Sequence, residues 1–336
     1  MNPCITVVMP AYNAQATIET ALKSIRMQTV ADQIEILVID GGSTDTTREI
    51  ALRYGAAVLD NPRRLPEPAK QIGAQQAKGR YLIEMDTDEA FVHPDQLEKR
   101  LQLFAAYPDV RCVVCDKMYP GAKGGLAARY VCACGDPFTQ FVYHRKDGVL
   151  DTFRKNIAEQ SGTARILRFG ADDPTPIGDG GTTMVDLDWT KENFPDRWKD
   201  LRFICGIASH IIGKTACCGC ISGDDVQHFV KAGFKGYLAK LRFRVVNNLF
   251  YPEESGYSVR TERAPAGALS HRKYGFVLYA ATLIGPCIDS VRLAWHYRDP
   301  SMLLHFVYVY YVCLYIAWCL AASKLGRTIR NTTYGQ

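Results

Sequence analysis

The stretch GRYLIEMDTDEAF, residues 79–91, runs an apolar segment, Tyr81 to Met85, into Asp86, Asp88 and Glu89 within four positions. Carboxylates this close repel one another, and nothing nearby in the sequence neutralises them. One answer is a turn in which Asp side chains bond the local backbone. The other is a divalent cation: Mg²⁺ or Mn²⁺, which prefers oxygen ligands, would sit against Asp88 and bridge to phosphate oxygens of a substrate.

The elements that must position this cluster alternate between strand and helix, the pattern of a parallel sheet with crossover helices. CITVVMP reads as a buried strand, AQATIETALKSIRMQ as a helix, IEILVID as the second strand and STDTTREIALRYG as a helix with capping residues at its start and Gly55 at its end. AAVLD, EPAKQIGAQQAKG and RYLIEMD follow as strand, helix and strand. Ligands of open α/β sheets collect at the carboxyl ends of strands. The residues of interest fall there: Pro10, Ala11, Tyr12 and Asn13 after the first strand, Asp40 to Asp45 after the second, and Asp86 to Glu89 after the fourth. No GxGxxG follows the first strand and no GxxxxGK[ST] occurs, so neither a dinucleotide fingerprint nor a P-loop accounts for the arrangement.

Four segments in order, VVMPAYNAQATIETALKSI, EILVIDGGSTDTT, PAKQIGAQQAKGRYLIEMDTDEAF and the distant ISGDDVQHFVKAGF, resemble family 2 glycosyltransferases of the membrane-anchored bacterial or archaeal type, which have the GT-A nucleotide-diphospho-sugar fold. The resemblance runs from about residue 4 to 115 and resumes near 178 to 236. It implies a Rossmann-like mixed α/β sheet with helices on both faces. It also implies that Tyr12, Asn13 and Asp40, behind Pro10 and Ala11, hold the base and ribose of a nucleotide, with Ser43 and Asp45 shaping that loop. Lys70 takes the place of a basic residue facing the diphosphate, and Gln71 replaces the family's usual Asn. Asp86 is expected against ribose and donor sugar, and Asp88 on the metal. In GDDV, Asp225 is the expected general base for inversion at the anomeric carbon and Asp224 its neighbour. Asp179, Gly180 and Gly181 in IGDGGTTM are expected to line the sugar and acceptor site. The QxxRW motif of processive polymerases is absent from the sequence, which favours single-sugar transfer.

The remaining sequence concerns placement. The 336 residues carry a net charge of +5, with an excess of Lys and Arg over 231–273. The start MNPCITVVMPAYN lacks a basic n-region and apolar h-region, so the front half is expected to face the cytoplasm. Twelve cysteines then read as thiols of a reducing compartment rather than a disulfide framework or a zinc site. Segment 301–323 has no formal charge, is interrupted only by His305 and is long enough to cross a hydrocarbon core of about 30 Å. Segment 274–295, with Gly285, Pro286 and Asp289, reads as a kinked span, a re-entrant helix pair or a buried core helix. A hairpin of two spans keeps Arg272, Lys273, Lys324, Arg327 and Arg330 on one side, as the positive-inside tendency requires.

The expected organisation is therefore a catalytic domain over 1–230, a basic interfacial helix and linker over 231–270, and a multi-pass membrane region over 271–336. Stretch 231–244 interleaves Lys231, Lys235, Lys240, Arg242 and Arg244 with apolar residues, as an interfacial helix or an ordinary packed amphipathic helix would. The expected partners are a nucleotide-diphospho-sugar donor, a lipid-linked polyprenyl acceptor and membrane lipids, with no nucleic acid; a homo-oligomer is allowed. The acceptor reads as a sugar hydroxyl or a polyprenyl phosphate. A non-catalytic scaffold of the same fold is the competing class, but Lys70, Asp88 and the Asp224–Asp225 pair are all retained.

Overall fold

The computed structural model describes residues 3–121, 124–171, 173, 175–176, 182–229, 233–251 and 268–329, with backbone alone for 202 and 268–274. The chain divides into two compact units, residues 1–119 with 148–229, and 120–147 with 230–336.

The first unit is built on a sheet of nine strands among the described residues. They are β1 (Ile5–Ala11), β2 (Ile34–Asp40), β3 (Ala57–Asp60), β4 (Tyr81–Glu84), β6 (Cys112–Val114), β8 (Ile157–Ser161), β9 (Ala164–Arg168), β10 (Met184–Asp186) and β11 (Cys217–Ile221), in the order β3-β2-β1-β4-β10-β6-β11-β9-β8. The first four are parallel, whereas β10 runs antiparallel to both β4 and β6. A small sheet joins β5 (Glu89–Phe91), β12 (Val226–His228) and β7 (Met118–Pro120) in the order β5-β12-β7.

Both faces of the large sheet are covered, which is why its central strands read as unbroken apolar runs. Side chains alternate across a strand. Ile5, Val7 and Met9 therefore pack on one side with helices α1 (Ile18–Arg26), α2 (Thr47–Arg53) and α4 (Gln96–Ala106). Val8, Leu37, Ile39 and Leu82 pack on the other, with α3 (Pro66–Gln76) and the helices Leu201–Cys205 and Ile207–Thr215. Helix α3 rides directly on β1 at Gly73, where a Cβ would stand 2.2 Å from Val8 Cγ1. That close approach sets the height of Lys70, one turn earlier. Cys112, Cys217, Cys218 and Cys220 fill the neighbouring β6–β11 region as buried free thiols.

The second unit differs from the expected organisation. Residues 120–147 do not continue the first unit, because the helix Leu126–Cys134 buries Ala127, Tyr130 and Cys134 among Tyr237, Tyr308 and Val312 of the C-terminal helices. The basic helix Phe234–Phe250 likewise buries Tyr237, Leu241, Val245 and Val246, and Arg244 ion-pairs with Asp136 at 2.9 Å. Lys231 lies outside the described residues.

Among the described residues, one helix, Pro300–Lys324, is long and apolar enough to cross a membrane. The expected second span is broken: limbs Gly275–Ala281 and Ile284–Tyr297 meet at 90°. Pro286 explains the break, since it has no N–H to give to residue 282 and its ring clashes with that carbonyl. Leu283 turns the corner at φ +59.

Gly73→Ala is expected to lower unfolding stability by about 1–3 kcal/mol through overpacking. Gly213→Ala, on a helix where a Cβ meets nothing within 4 Å, is expected to be neutral or stabilising by about 0.5–1 kcal/mol; denaturant titration of both variants checks the contrast.

Candidate active site

At the end of β1 and β2, Asp40 is buried and its carboxylate is enclosed by its own loop. It accepts from the Gly42 amide at 3.2 Å, the Ser43 amide at 3.1 Å and the Ser43 hydroxyl at 2.5 Å, and pairs with Arg48 at 2.9 Å. Ser43 Oγ accepts from the Asn13 amide at 2.9 Å, and Asn13 Oδ1 accepts from the Thr44 amide at 2.9 Å. Asn13 is left-handed, φ +46, a conformation Asn tolerates better than most residues. Tyr12 leaves its ring 40% exposed beside this loop. Pro10 and Ala11 pair with Ile39 and Asp40 across the strands. Asp45 accepts from the amides of Gln15 at 3.1 Å and Thr47 at 3.0 Å. Burial works against the charge of Asp45, but the Thr47 hydroxyl and these amides outweigh it and hold its carboxyl below the ordinary value.

Lys70 reaches the end of β4 from α3. Its Nζ lies 3.1 Å from Glu84 Oε2. Burial disfavours its charge, but Glu84 and Asp86 outweigh burial and hold the ammonium well above its ordinary pKa. Lys70 therefore remains a cation at any working pH. Gln71 donates to the Trp198 carbonyl at 3.2 Å.

The opening cluster of carboxylates divides its labour. Glu89 is buried and accepts from the Asp86 amide at 3.1 Å, while its own amide donates to the Asp86 carbonyl at 3.1 Å, so it closes the turn. Asp88 instead faces His228, with Oδ2 3.6 Å from Nε2. Register brings them together, since β5 and β12 are antiparallel with His228 opposite Glu89, and the Phe229 amide donates to the Asp88 carbonyl at 2.6 Å. A partly buried carboxylate oxygen beside an imidazole nitrogen fits a divalent cation whose remaining ligands come from phosphate and water. Among the described residues, no group of three or more His, Cys, Asp or Glu side chains forms a closed cage.

Three residues before His228 stands Asp225. Its neighbour Asp224 is buried, receiving Arg100 Nε at 2.7 Å and Gln96 Nε2 at 2.6 Å. Both carboxylate oxygens of Asp224 are thereby engaged by Gln96 and Arg100. Asp116 lies close by: its amide donates to the Asp224 carbonyl at 2.9 Å, and its Oδ1 accepts from the Leu150 amide at 3.0 Å. Burial first, and then the like charge of Asp225, raise the Asp116 carboxyl above its ordinary value. Asp179, Gly180 and Gly181 lie outside the described residues.

Of the residues singled out in the sequence, Lys70, Asp86, Asp88, Asp224 and Asp225 have neighbours that the sequence did not single out: Glu84 beside Lys70, His228 beside Asp88, Gln96 and Arg100 against the Asp224–Asp225 pair, and Asp116 near Asp225. Glu84 was visible as the one charged residue inside an apolar strand. His228 was visible only as an imidazole three residues beyond the acidic pair.

The profile of glycosyl transferase family 2 matches residues 6–174, half of the 336-residue chain. The chain belongs to glycosyltransferase family 2. Glycosyltransferase AglE of Haloferax volcanii is 30% identical over 219 residues, covering 63% of this chain and 66% of that protein. An uncharacterized glycosyltransferase of Haemophilus influenzae is 33% identical over 109 residues, which cover 30% of this chain and 41% of that protein. The matched region is thus about two fifths of the length of that relative. Among solved structures, the mannosyltransferase PcManGT from Pyrobaculum calidifontis, in complex with GDP-Man and Mn²⁺, aligns over 95% of this chain and 88% of its own with TM-score 0.53 and 18% identity. The mixed sheet is therefore GT-A-like.

A carboxyl lowered by folding adds stability that is complete above its unfolded value of about 3.9 and fades as pH falls through its folded value. Asp45→Asn is accordingly expected to lower the melting temperature near neutrality, with the difference from the unaltered protein closing by about pH 2. Melting curves across that range check it.

Proposed function

We propose that this chain is a metal-dependent, inverting glycosyltransferase that moves one sugar from a nucleoside-diphosphate donor to a lipid-linked acceptor at a membrane surface. The observation that carries the reading is the grouping at the sheet edge: Lys70 beside Glu84, Asp88 facing His228, and Asp225 three residues from that histidine. Nucleotide recognition falls to the exposed Tyr12 ring, a stacking face for a base, and to Asn13 and Asp40 in their rigid loop. Lys70 offers a permanent cation to the diphosphate, the leaving group on which charge develops. Asp86 completes the ribose and sugar side. Asp88 and His228 would hold the cation, with the nitrogen ligand favouring Mn²⁺ over Mg²⁺; PcManGT, of similar fold, is in complex with GDP-Man and Mn²⁺. That cation supplies charge neutralisation to the departing diphosphate. Asp225 accepts the proton of the acceptor hydroxyl on the face opposite the leaving group, which gives inversion.

The lipid-linked acceptor rests on the C-terminal helices. Pro300–Lys324 has the length of one span, about 1.5 Å per residue. The limb Ile284–Tyr297, at 14 residues, is too short to cross about 30 Å and acts as a re-entrant limb in one leaflet. Its exposed Ile284, Ile288, Val291 and Trp295 recur at helical spacing along one face, as lipid contact requires.

Asp88→Asn and His228→Ala are each expected to raise the Mn²⁺ concentration needed for donor-induced thermal stabilisation by at least about tenfold. Donor stabilisation that persists in excess chelator would remove the metal from the reading.

Asp225→Asn is expected to leave donor affinity unchanged while lowering kcat by about 10²-fold or more, the usual loss for a positioned base; Asp40→Asn should weaken the donor with less effect on transfer. Calorimetry beside single-turnover assays separates them. An Asp225→Asn protein that transfers at full rate would point to an acceptor already ionised, such as a polyprenyl phosphate.

A further inference from the structure

Arg100 is fully buried on α4. Its guanidinium meets Asp224 through two bonds, Nε to Oδ2 at 2.7 Å and Nη2 to Oδ1 at 3.1 Å. The same group reaches Thr182, donating from Nη1 to the carbonyl and from Nη2 to Oγ1 at 3.1 Å. It also lies over the Phe91 ring, 5.6 Å from the centroid, on the strand that follows Asp88. One turn earlier, Gln96 repeats the pattern. Its Nε2 donates to Asp224 Oδ1 at 2.6 Å and to the Asp225 carbonyl at 2.9 Å, while its Oε1 accepts from the amides of Val92 at 2.6 Å and His93 at 2.7 Å.

Two facts separate this arrangement from ordinary core packing. Thr182 has φ +59, a left-handed backbone that is an outlier for a β-branched residue and persists only where its surroundings impose it. Arg100 grips both the Thr182 carbonyl and its hydroxyl. Second, a buried ion pair is weak support for stability, because apolar residues of similar volume often serve as well or better. What a guanidinium offers and an apolar side chain does not is a rigid fork that holds several partners in fixed register.

We infer that Arg100 is a positioning residue for transfer: it locks the turn bearing Asp224 and Asp225 to Thr182 at the entry of β10, and so fixes where the carboxylate of Asp225 stands. The inference rests on the reading of Asp225 as base and adds to it a residue that touches no substrate. Its action passes through the main chain, from Asp224 to Asp225 on one side and from Thr182 into β10 on the other.

The test uses the full chain with two variants. Arg100→Met combined with Asp224→Leu removes both charges together and so avoids leaving one buried alone. Arg100→Lys keeps a positive charge against Asp224 but loses the fork. Each is measured for melting temperature, for Mn²⁺-dependent binding of UDP-glucose, UDP-GlcNAc and GDP-mannose, for release of nucleoside diphosphate as the sugar passes to the hydroxyl of an added polyprenyl-diphosphate-linked sugar or to water, and for amide hydrogen exchange. Both variants should fold and bind donor as the unaltered protein does, yet turn over about 10²-fold more slowly, with exchange rising together at 182–185 and 223–226 and unchanged at 41–47. Turnover at the original rate in the folded double variant overturns the inference, as does faster exchange in only one of the two segments. If the unaltered protein releases no nucleoside diphosphate from any donor, the glycosyltransfer reading fails; the exchange pattern then still decides whether Arg100 couples the two segments.

Discussion

Mutual repulsion among carboxylates is the constraint on which this sheet edge is built. Two unit charges 4 Å apart interact by about 4 kcal/mol at a protein surface, so acidic residues cannot be gathered at strand ends unless each is answered. The fold answers them one by one. Asp40 receives Arg48, Glu84 and Asp86 share Lys70, and Asp224 receives Arg100. Glu89 is turned inward to close a backbone turn. Asp88 Oδ2 lies 3.6 Å from the imidazole Nε2 of His228.

The parts legible in sequence were those fixed by local chemistry. The apolar runs of β1, β2 and β4, the acidic residues at their ends and the helix bearing Lys70 all follow from patterns a few residues long. What was not legible depends on pairing between distant segments. Arg100 meets Asp224 across 124 positions, a pairing that no local pattern specifies. His228 becomes a partner of Asp88 only once β12 is set antiparallel to β5. Asp116 sits at the end of a short apolar strand, and its burial depends on the 148–150 turn folding over it, where Gly148 takes φ +90 against the Asp116 carboxylate.

The C-terminal half shows the same division. Hydropathy marked the long helix directly, but composition alone could not say whether 274–295 was straight. Pro286 near the middle of that run decides it, by ending one hydrogen-bond ladder and starting another. The segment 120–147 gave no signal of belonging with the C-terminal helices, because a short apolar helix looks the same whichever core it enters. Its allegiance rests on side-chain shape, with Tyr130 fitted between Tyr237 and Tyr308.

His305, the polar interruption in the apolar helix, is bonded at both ring nitrogens. Tyr130 Oη lies 2.8 Å from Nδ1, Tyr279 Oη lies 3.1 Å from Nε2, and the Tyr279 hydroxyl donates to Asp289 Oδ2 at 2.8 Å. With its single proton committed to Asp289, Tyr279 can only accept from the ring, so the neutral imidazole carries its hydrogen on Nε2 and Tyr130 must donate to Nδ1. The chain of four groups thus has one direction, and reversing any member would face two protons or two lone pairs against each other. Buried in an apolar setting without Tyr130 and Tyr279, the imidazole would lose the partners of both ring nitrogens. Packing of the surrounding helices and burial of this one are therefore coupled, so the polar interruption in the helix ties its place in the unit to Tyr130, Tyr279 and Asp289.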